Sequence, residues 1–165
     1  MAVVIPRFPD WYGPNVTSRP VGPIFMAALE GKRANWIGDL ETPHDLVFIE
    51  DAATACIRLG ETESAYGQTW HVPGPGPLTG RQFIEMVFQA AGTEPNIGAM
   101  GGDMLRFLGL FSRDHREMLE LLYEFEEPLV LDGSKFAGAF PGFQYTPHQE
   151  AIRKTLAWFQ RRRRR

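Results

Sequence analysis

A chain of 165 residues, 44% hydrophobic and 22% charged, is too apolar for a disordered segment and long enough for one buried core. Its net charge is −3, but five of its 17 basic residues are the consecutive Arg161 to Arg165. The body then holds 12 basic against 20 acidic residues, a balance of −8 that argues against a nucleic-acid partner.

The arginine run reads as a solvated, disordered tail, 161–165, on a single domain covering 1–165. Cys56 is the only cysteine, so no internal disulfide can form; it stands beside Ala and Ile on an expected helix and reads as a small buried apolar residue. No apolar run nears the ~20 residues of a membrane span, and the first residues do not form a signal peptide. No membrane partner and a cytoplasmic location are the expectation.

In chain order, Val3 to Ile5 is a β-branched run with the pattern of a strand covered on both faces. Tyr12-Gly13-Pro14-Asn15 is a turn. Pro23 to Glu30 reads as a helix stopped by Gly31, and Asn35 to Gly38 as a short strand. Val47 to Ile49 is a second apolar run; a helix from Ala52 to Leu59 follows, with Asp51 as its N-cap and Gly60 as its stop. Gln68 to Val72 is a third strand. Thr79-Gly80-Arg81-Gln82 is a capping box opening a helix with Phe83, Met86 and Val87 on one face, closed by Gly92. Met104 to Phe111 and Ser112 to Phe125 read as two helices, and Leu129 to Leu131 as extended chain. Thr146-Pro147-His148-Gln149 is a second capping box, opening a last helix with Ile152, Leu156 and Phe159. Strands alternating with helices argue for an α/β fold with a parallel sheet, and the helical second half for a lobe beside it.

Few motifs carry chemistry. His71 to Gly80 is glycine-rich and lies between a strand and a helix, but Pro73, Pro75 and Pro77 remove the N–H groups that would cradle a phosphate. His44, His71, His115 and His148 lack metal-ligand spacing, and there is no second cysteine. No Gly-x-Ser-x-Gly elbow surrounds Ser18, Ser64, Ser112 or Ser134. Glu117, Glu120, Glu124, Glu126 and Glu127 read as a solvated helix face. The stretch VVIPRFPDWYGPN, Val3 to Asn15, stands out. Its prolines hold Phe8, Trp11 and Tyr12 stiffly at the end of a parallel strand, where open α/β sheets bind ligands; Trp11 and Tyr12 as core aromatics closing the sheet end are the alternative.

Taken together, VVIPRFPDWYGPN, GDLETPHDLVFIEDAATACIRLG, GQTWHVPGPGPLTGRQFIEMVFQAAG and SKFAGAFPGFQYTPHQEAIRKTLAWF resemble the extended and atypical short-chain dehydrogenase/reductases, the NAD-dependent epimerase/dehydratase family. The resemblance spans nearly the whole chain. It implies the C-terminal half of a larger enzyme: the last strands of a Rossmann-like cofactor sheet with a mainly helical substrate lobe. By the same resemblance, Pro6, Arg7 and Phe8 lie near the nicotinamide end of the cofactor. Asp10, Trp11, Tyr12 and Asn15 line the substrate pocket, and Trp36, Gly38 and Asp39 sit on the substrate side of the lobe.

NAD or NADP is the cofactor the resemblance implies, and a nucleotide sugar or carbonyl compound the substrate. The family's glycine-rich loop has no equivalent here. Its Tyr-x-x-x-Lys pair is absent too, because Lys32, Lys135 and Lys154 do not follow Tyr12, Tyr66, Tyr123 or Tyr145 at that spacing. No catalytic or metal-ligating residue and no tight cofactor binding by this chain alone are therefore expected. The expected product is inactive by itself and completed by an N-terminal half or a partner chain. A binding, regulatory or homo-oligomerising module of the same fold is the alternative.

Overall fold

Short strands paired in twos carry the architecture of the computed structural model, which describes residues 2–17, 20–120 and 122–163, and within them all side chains but those of Leu108, Asp114, His115 and Met118. Ser18, Arg164, Arg165 and the His115 side chain, named above, lie outside that description. In chain order come β1 (Ile5–Arg7), β2 (Asp10–Tyr12), α1 (Gly22–Glu30), β3 (Ala34–Ile37), β4 (Pro43–His44), β5 (Leu46–Phe48) and α2 (Ile49–Gly60). A single 3-10 turn, Glu63–Ala65, leads to β6 (Thr69–His71), β7 (Leu78–Thr79), α3 (Gly80–Ala91) and β8 (Ile97–Met100). Five helices close the chain: α4 (Gly102–Gly109), α5 (Arg113–Glu120), α6 (Tyr123–Glu126), α7 (Ser134–Ala139) and α8 (His148–Arg163).

β1 pairs with β6, β2 with β5 and β3 with β8, all parallel, while β4 and β7 pair antiparallel. Parallel neighbours need long crossovers, and the intervening helices supply them. The α/β class expected from the alternation is the class observed.

Two apolar clusters hold the elements together. The larger places Ile24 and Phe25 of α1, Phe83 and Phe88 of α3 and Phe159 of α8 against Trp36, Leu46 and Phe48. Phe25 and Phe159 stack face to face at 5.6 Å, which fixes α1 on α8. In the smaller, Leu59, Trp70, Val72 and Phe136 join α2, β6 and α7.

Several expectations need correcting. β1 starts two residues late and is not covered on both faces: Val3 and Ile5 are 46% and 50% exposed. Its hydrogen bonds to the neighbouring strand use Ile5 N–H to Gln68 O (3.1 Å) and Val72 N–H to Arg7 O (2.9 Å). Pro6, between them, therefore faces the opposite edge, which has no partner among the described residues. An edge is where a strand tolerates a residue without an N–H. α2 begins three residues earlier than expected, with Phe48 at its N-cap, so Asp51 lies in the first turn and is not the cap. Thr146 does not serve its own helix; its hydroxyl donates to Asp51 Oδ1 at 2.8 Å. Cys56 is exposed rather than buried. His44 and His148, which carry no metal-ligand spacing, are buried. Finally, α8 runs through Arg163, so the arginine run is helical for its first three residues.

Candidate functional site

The loop from β1 to β2 holds most of the sequence candidates. Pro6 is half-buried and Arg7 exposed at the end of β1; Phe8 packs on the Trp70 cluster. The Phe8 and Trp11 rings meet edge to face at 6.2 Å, and Trp11 leaves half its surface, 50%, to solvent. Between them Asp10 is half-buried. Burial, and then the nearby Glu124 carboxylate, push its pKa up to about 6. Near neutrality it can thus exchange between hydrogen-bond donor and acceptor beside an exposed indole.

Below this surface is a buried polar network. Tyr12 is fully buried, and its hydroxyl lies 2.8 Å from His148 Nδ1. His148 Nε2 is 2.9 Å from the Gly76 carbonyl, which can only accept. Nε2 therefore carries the proton, and in the neutral ring Nδ1 accepts from the Tyr12 hydroxyl. Burial lowers the His148 pKa and keeps it in this neutral form. The same burial, with Asp51, drives the Tyr12 phenol upward, the opposite of what a proton donor at neutral pH needs. Tyr145 is pushed up to about 12 by burial and by Asp51 and Asp45. The Asp51 carboxylate accepts the N–H and hydroxyl of Thr146, and Asp45 Oδ2 the N–H of Leu131 at 2.7 Å. These bonds clamp the strand ends to the closing segments of the chain.

The end of β3 is tied to the same region through α6. Trp36 is fully buried and meets Phe125 edge to face at 6.2 Å. Gly38 takes φ 74°, and a Cβ there would fall 2.5 Å from the Phe125 carbonyl oxygen, so only glycine fits. Asp39 donates its N–H to that oxygen, and its own carboxylate accepts from Glu41 N–H and the Thr42 hydroxyl. The residue before Phe125 is Glu124, whose charge acts on Asp10.

The structure therefore gathers Phe8, Asp10 and Trp11, links them through α6 to Gly38 and Asp39, and sets Tyr12 and Trp36 beneath. Asn15, at φ 68°, lies apart; it lines a hollow of about 350 Å3 with Trp158, Arg161 and Arg162.

One part of this region is poorly satisfied. His44 stacks with Trp36 and Phe125 at ring separations of 5.9 and 5.8 Å, and its burial lowers its pKa. Trp36 Nε1 has no hydrogen-bond partner among the described residues, and the His44 ring has only a weak approach to the Phe125 backbone, short of a well-formed hydrogen bond. The sequence reading missed His44, Glu124 and His148 as parts of this region. Its only available signal was residue type, because their partners are distant in the chain. No group of three or more metal-ligating side chains occurs among the described residues. No helix among them is long and apolar enough to cross a membrane.

No family model and no curated protein matches this sequence. Solved structures do match its fold. An epimerase from the methanogen Methanothermobacter thermautotrophicus aligns with a TM-score of 0.77 at 15% identity, over 99% of this chain and 45% of that one. UDP-glucuronic acid 4-epimerase from Bacillus cereus, in complex with UDP-glucuronic acid and NAD, aligns at 0.73 and 17% identity, over 96% of this chain and 45% of its own. dTDP-glucose 4,6-dehydratase from Bacillus anthracis, in complex with NAD, gives 0.72 and 17%, over 96% and 44%. At these identities the likeness is one of fold. The chain spans less than half the length of each and matches the C-terminal half of the NAD-dependent epimerase and dehydratase fold.

Proposed function

We propose that this chain is the substrate-binding portion of an NAD(P)-dependent epimerase, dehydratase or reductase, inactive in hydride transfer by itself. The observation that carries the reading is the fold match: nearly all of this chain overlays less than half of enzymes solved with NAD. A nucleotide sugar is the substrate class, because the neighbours include proteins solved with UDP-glucuronic acid and UDP-glucose. Trp11 supplies an exposed stacking surface, Asp10 a carboxyl titrating near neutrality, and Asp39 a polar contact farther out, while Asn15 lies outside this face. Pro6, Arg7 and Phe8 meet the nicotinamide end of a cofactor held by other polypeptide.

Titration calorimetry with UDP-glucose tests the substrate part. Saturable binding, weakened about tenfold by Trp11→Ala through the loss of stacking, supports it. Affinity unchanged by Trp11→Ala, or no binding, contradicts it.

A second reading has its own support. Val3 and Ile5, just before and at the start of β1, and Met104, Phe107, Leu110 and Phe111 around α4, are exposed apolar side chains. Patches of this kind suit a homo-oligomerising or regulatory module of the same fold. A light-scattering mass equal to the monomer's counts against it.

A further inference from the structure

Four basic side chains of this acidic chain, Lys32, Arg33, Arg162 and Arg163, line one cleft. α1 ends at Gly31, whose left-handed φ of 62° turns the chain so that Lys32 and Arg33 project beyond the helix. α8 ends beside it. The Arg163 guanidinium donates to Leu29 O at 3.1 Å, meeting a carbonyl in the last turn of α1 and pinning the two helix ends together. Between them lies a cleft of about 630 Å3. Pro23, Met26, Ala27 and Phe159 form its apolar surface, and Lys32, Arg33, Arg162 and Arg163 its charged rim, with Glu30 as the one carboxylate.

Glu30 is already engaged by Lys32 at 2.8 Å. Arg162 lies over the Trp158 ring at 5.3 Å, which holds its guanidinium plane without neutralising it. No carboxylate among the described residues pairs with Arg33, Arg162 or Arg163. The two helix C-termini carry partial negative charge and offset only part of this excess.

We propose that this cleft binds a phosphate monoester carried on an apolar body. Four cations against one carboxylate leave an excess that a dianion matches better than a carboxylate does. Guanidinium groups bind phosphate oxygens through paired hydrogen bonds. The volume falls within the roughly 300–1,000 Å3 of small-molecule sites and far exceeds what a bare phosphate fills. The apolar surface between Met26 and Phe159 is the place for the remainder of the ligand. This site is separate from the substrate face around Asp10 and Trp11 and does not depend on the function proposed for it.

Calorimetry at low ionic strength with 1-naphthyl phosphate, inorganic phosphate and 1-naphthol tests the proposal. Saturable binding of 1-naphthyl phosphate is expected, about tenfold tighter than inorganic phosphate, with 1-naphthol weaker still. The exposed pair Arg33→Gln and Arg162→Gln should weaken it at least ~10-fold, as added salt should, because the contact is between charges. Arg153→Gln, outside the cleft, and Trp11→Ala, at the substrate face, should leave it within about twofold, as distant sites act independently. Absence of saturation up to about 5 mM overturns the proposal. So does equal affinity for inorganic phosphate, or binding indifferent to the paired substitution. Retained far-ultraviolet circular dichroism in each variant separates a lost site from a lost fold.

Discussion

Tyr12 and His148 stand 136 positions apart in the chain and 2.8 Å apart in space, and because the Gly76 carbonyl takes the Nε2 proton, the phenol donates to Nδ1. Tyr12→Phe keeps the ring packing on Phe25, Phe48 and Phe83 but leaves His148 Nδ1 without its donor. The expected cost is about 1–2 kcal/mol in urea unfolding, typical of a buried acceptor left unpaired; an unchanged midpoint would show that the bond carries nothing. At His44 the expectation reverses. His44→Phe removes two buried nitrogens, whose nearest partner is a weak approach to the Phe125 backbone, from an aromatic enclosure and should stabilise the protein by about 1 kcal/mol. A loss of similar size would mean that those nitrogens are bonded in solution. Asp10 gives the pH test. Its folded pKa, about 6, lies above its ordinary 3.8, so the folded state holds the proton more tightly than the unfolded chain. Its contribution is complete below about pH 4 and is lost as pH rises through about 6, on the order of 3 kcal/mol. Relative to Asp10→Asn, the parent chain should lose that stability across this window; parallel curves contradict the assignment. The differencing matters because the lowered pKa values of His44 and His148 act the other way, removing stability as pH falls below 6.5.

Elements whose signals are local were legible in the sequence. Thr79 and Gln82 exchange both bonds of a capping box, as their spacing implies, and Gly31 and Gly92 take left-handed conformations at the ends of α1 and α3. Thr79→Ala should therefore cost about 1 kcal/mol in thermal unfolding, and a cost near zero would show the cap to be redundant. The same four-residue pattern at Thr146 misled, because Asp51, 95 positions away, takes its hydroxyl and its N–H. The described parts of the expected helix from Ser112 to Phe125 are α5 and α6, on either side of position 121, which lies outside the described residues. Phe125 is held there by Trp36 and by the space at Gly38, and neither contact is written in the local sequence. β8, the Ile97–Met100 run IGAM, has one β-branched residue and is a strand only because β3 pairs with it. The same distinction divides the site. The stiff aromatic loop at Phe8, Trp11 and Tyr12 was visible from prolines and residue type. The Glu124 charge on Asp10 and the His148 bond to Tyr12 were not. Gly80 shows how closely such long-range contacts fit: a Cβ there would meet the Trp36 ring at 2.5 Å. Gly80→Ala should cost about 1–3 kcal/mol by overpacking, and full stability of that variant would contradict the packing of α3 on β3.

At the scale of the whole molecule, the parallel pairing of β1 and β6 ends in an edge whose Val3 and Ile5 side chains are half exposed. The solved neighbours are more than twice as long, and the resemblance assigns the cofactor loop and the phenol–ammonium pair to the portion this chain does not cover. Within the chain, the glycine-rich segment after β6 contains Pro73, Pro75 and Pro77, and the Gly76 carbonyl is occupied by His148. Tyr12 is bonded to a neutral imidazole, and burial raises its pKa away from neutrality. Under the proposed function, this chain receives a substrate and other polypeptide holds the dinucleotide. Titration of the purified 165-residue chain with NADH and NADPH, followed by nicotinamide fluorescence, tests this most directly. No saturation below about 100 μM is expected, because the proposed function places the pyrophosphate cradle on other polypeptide. Saturable binding at low micromolar concentration would contradict it.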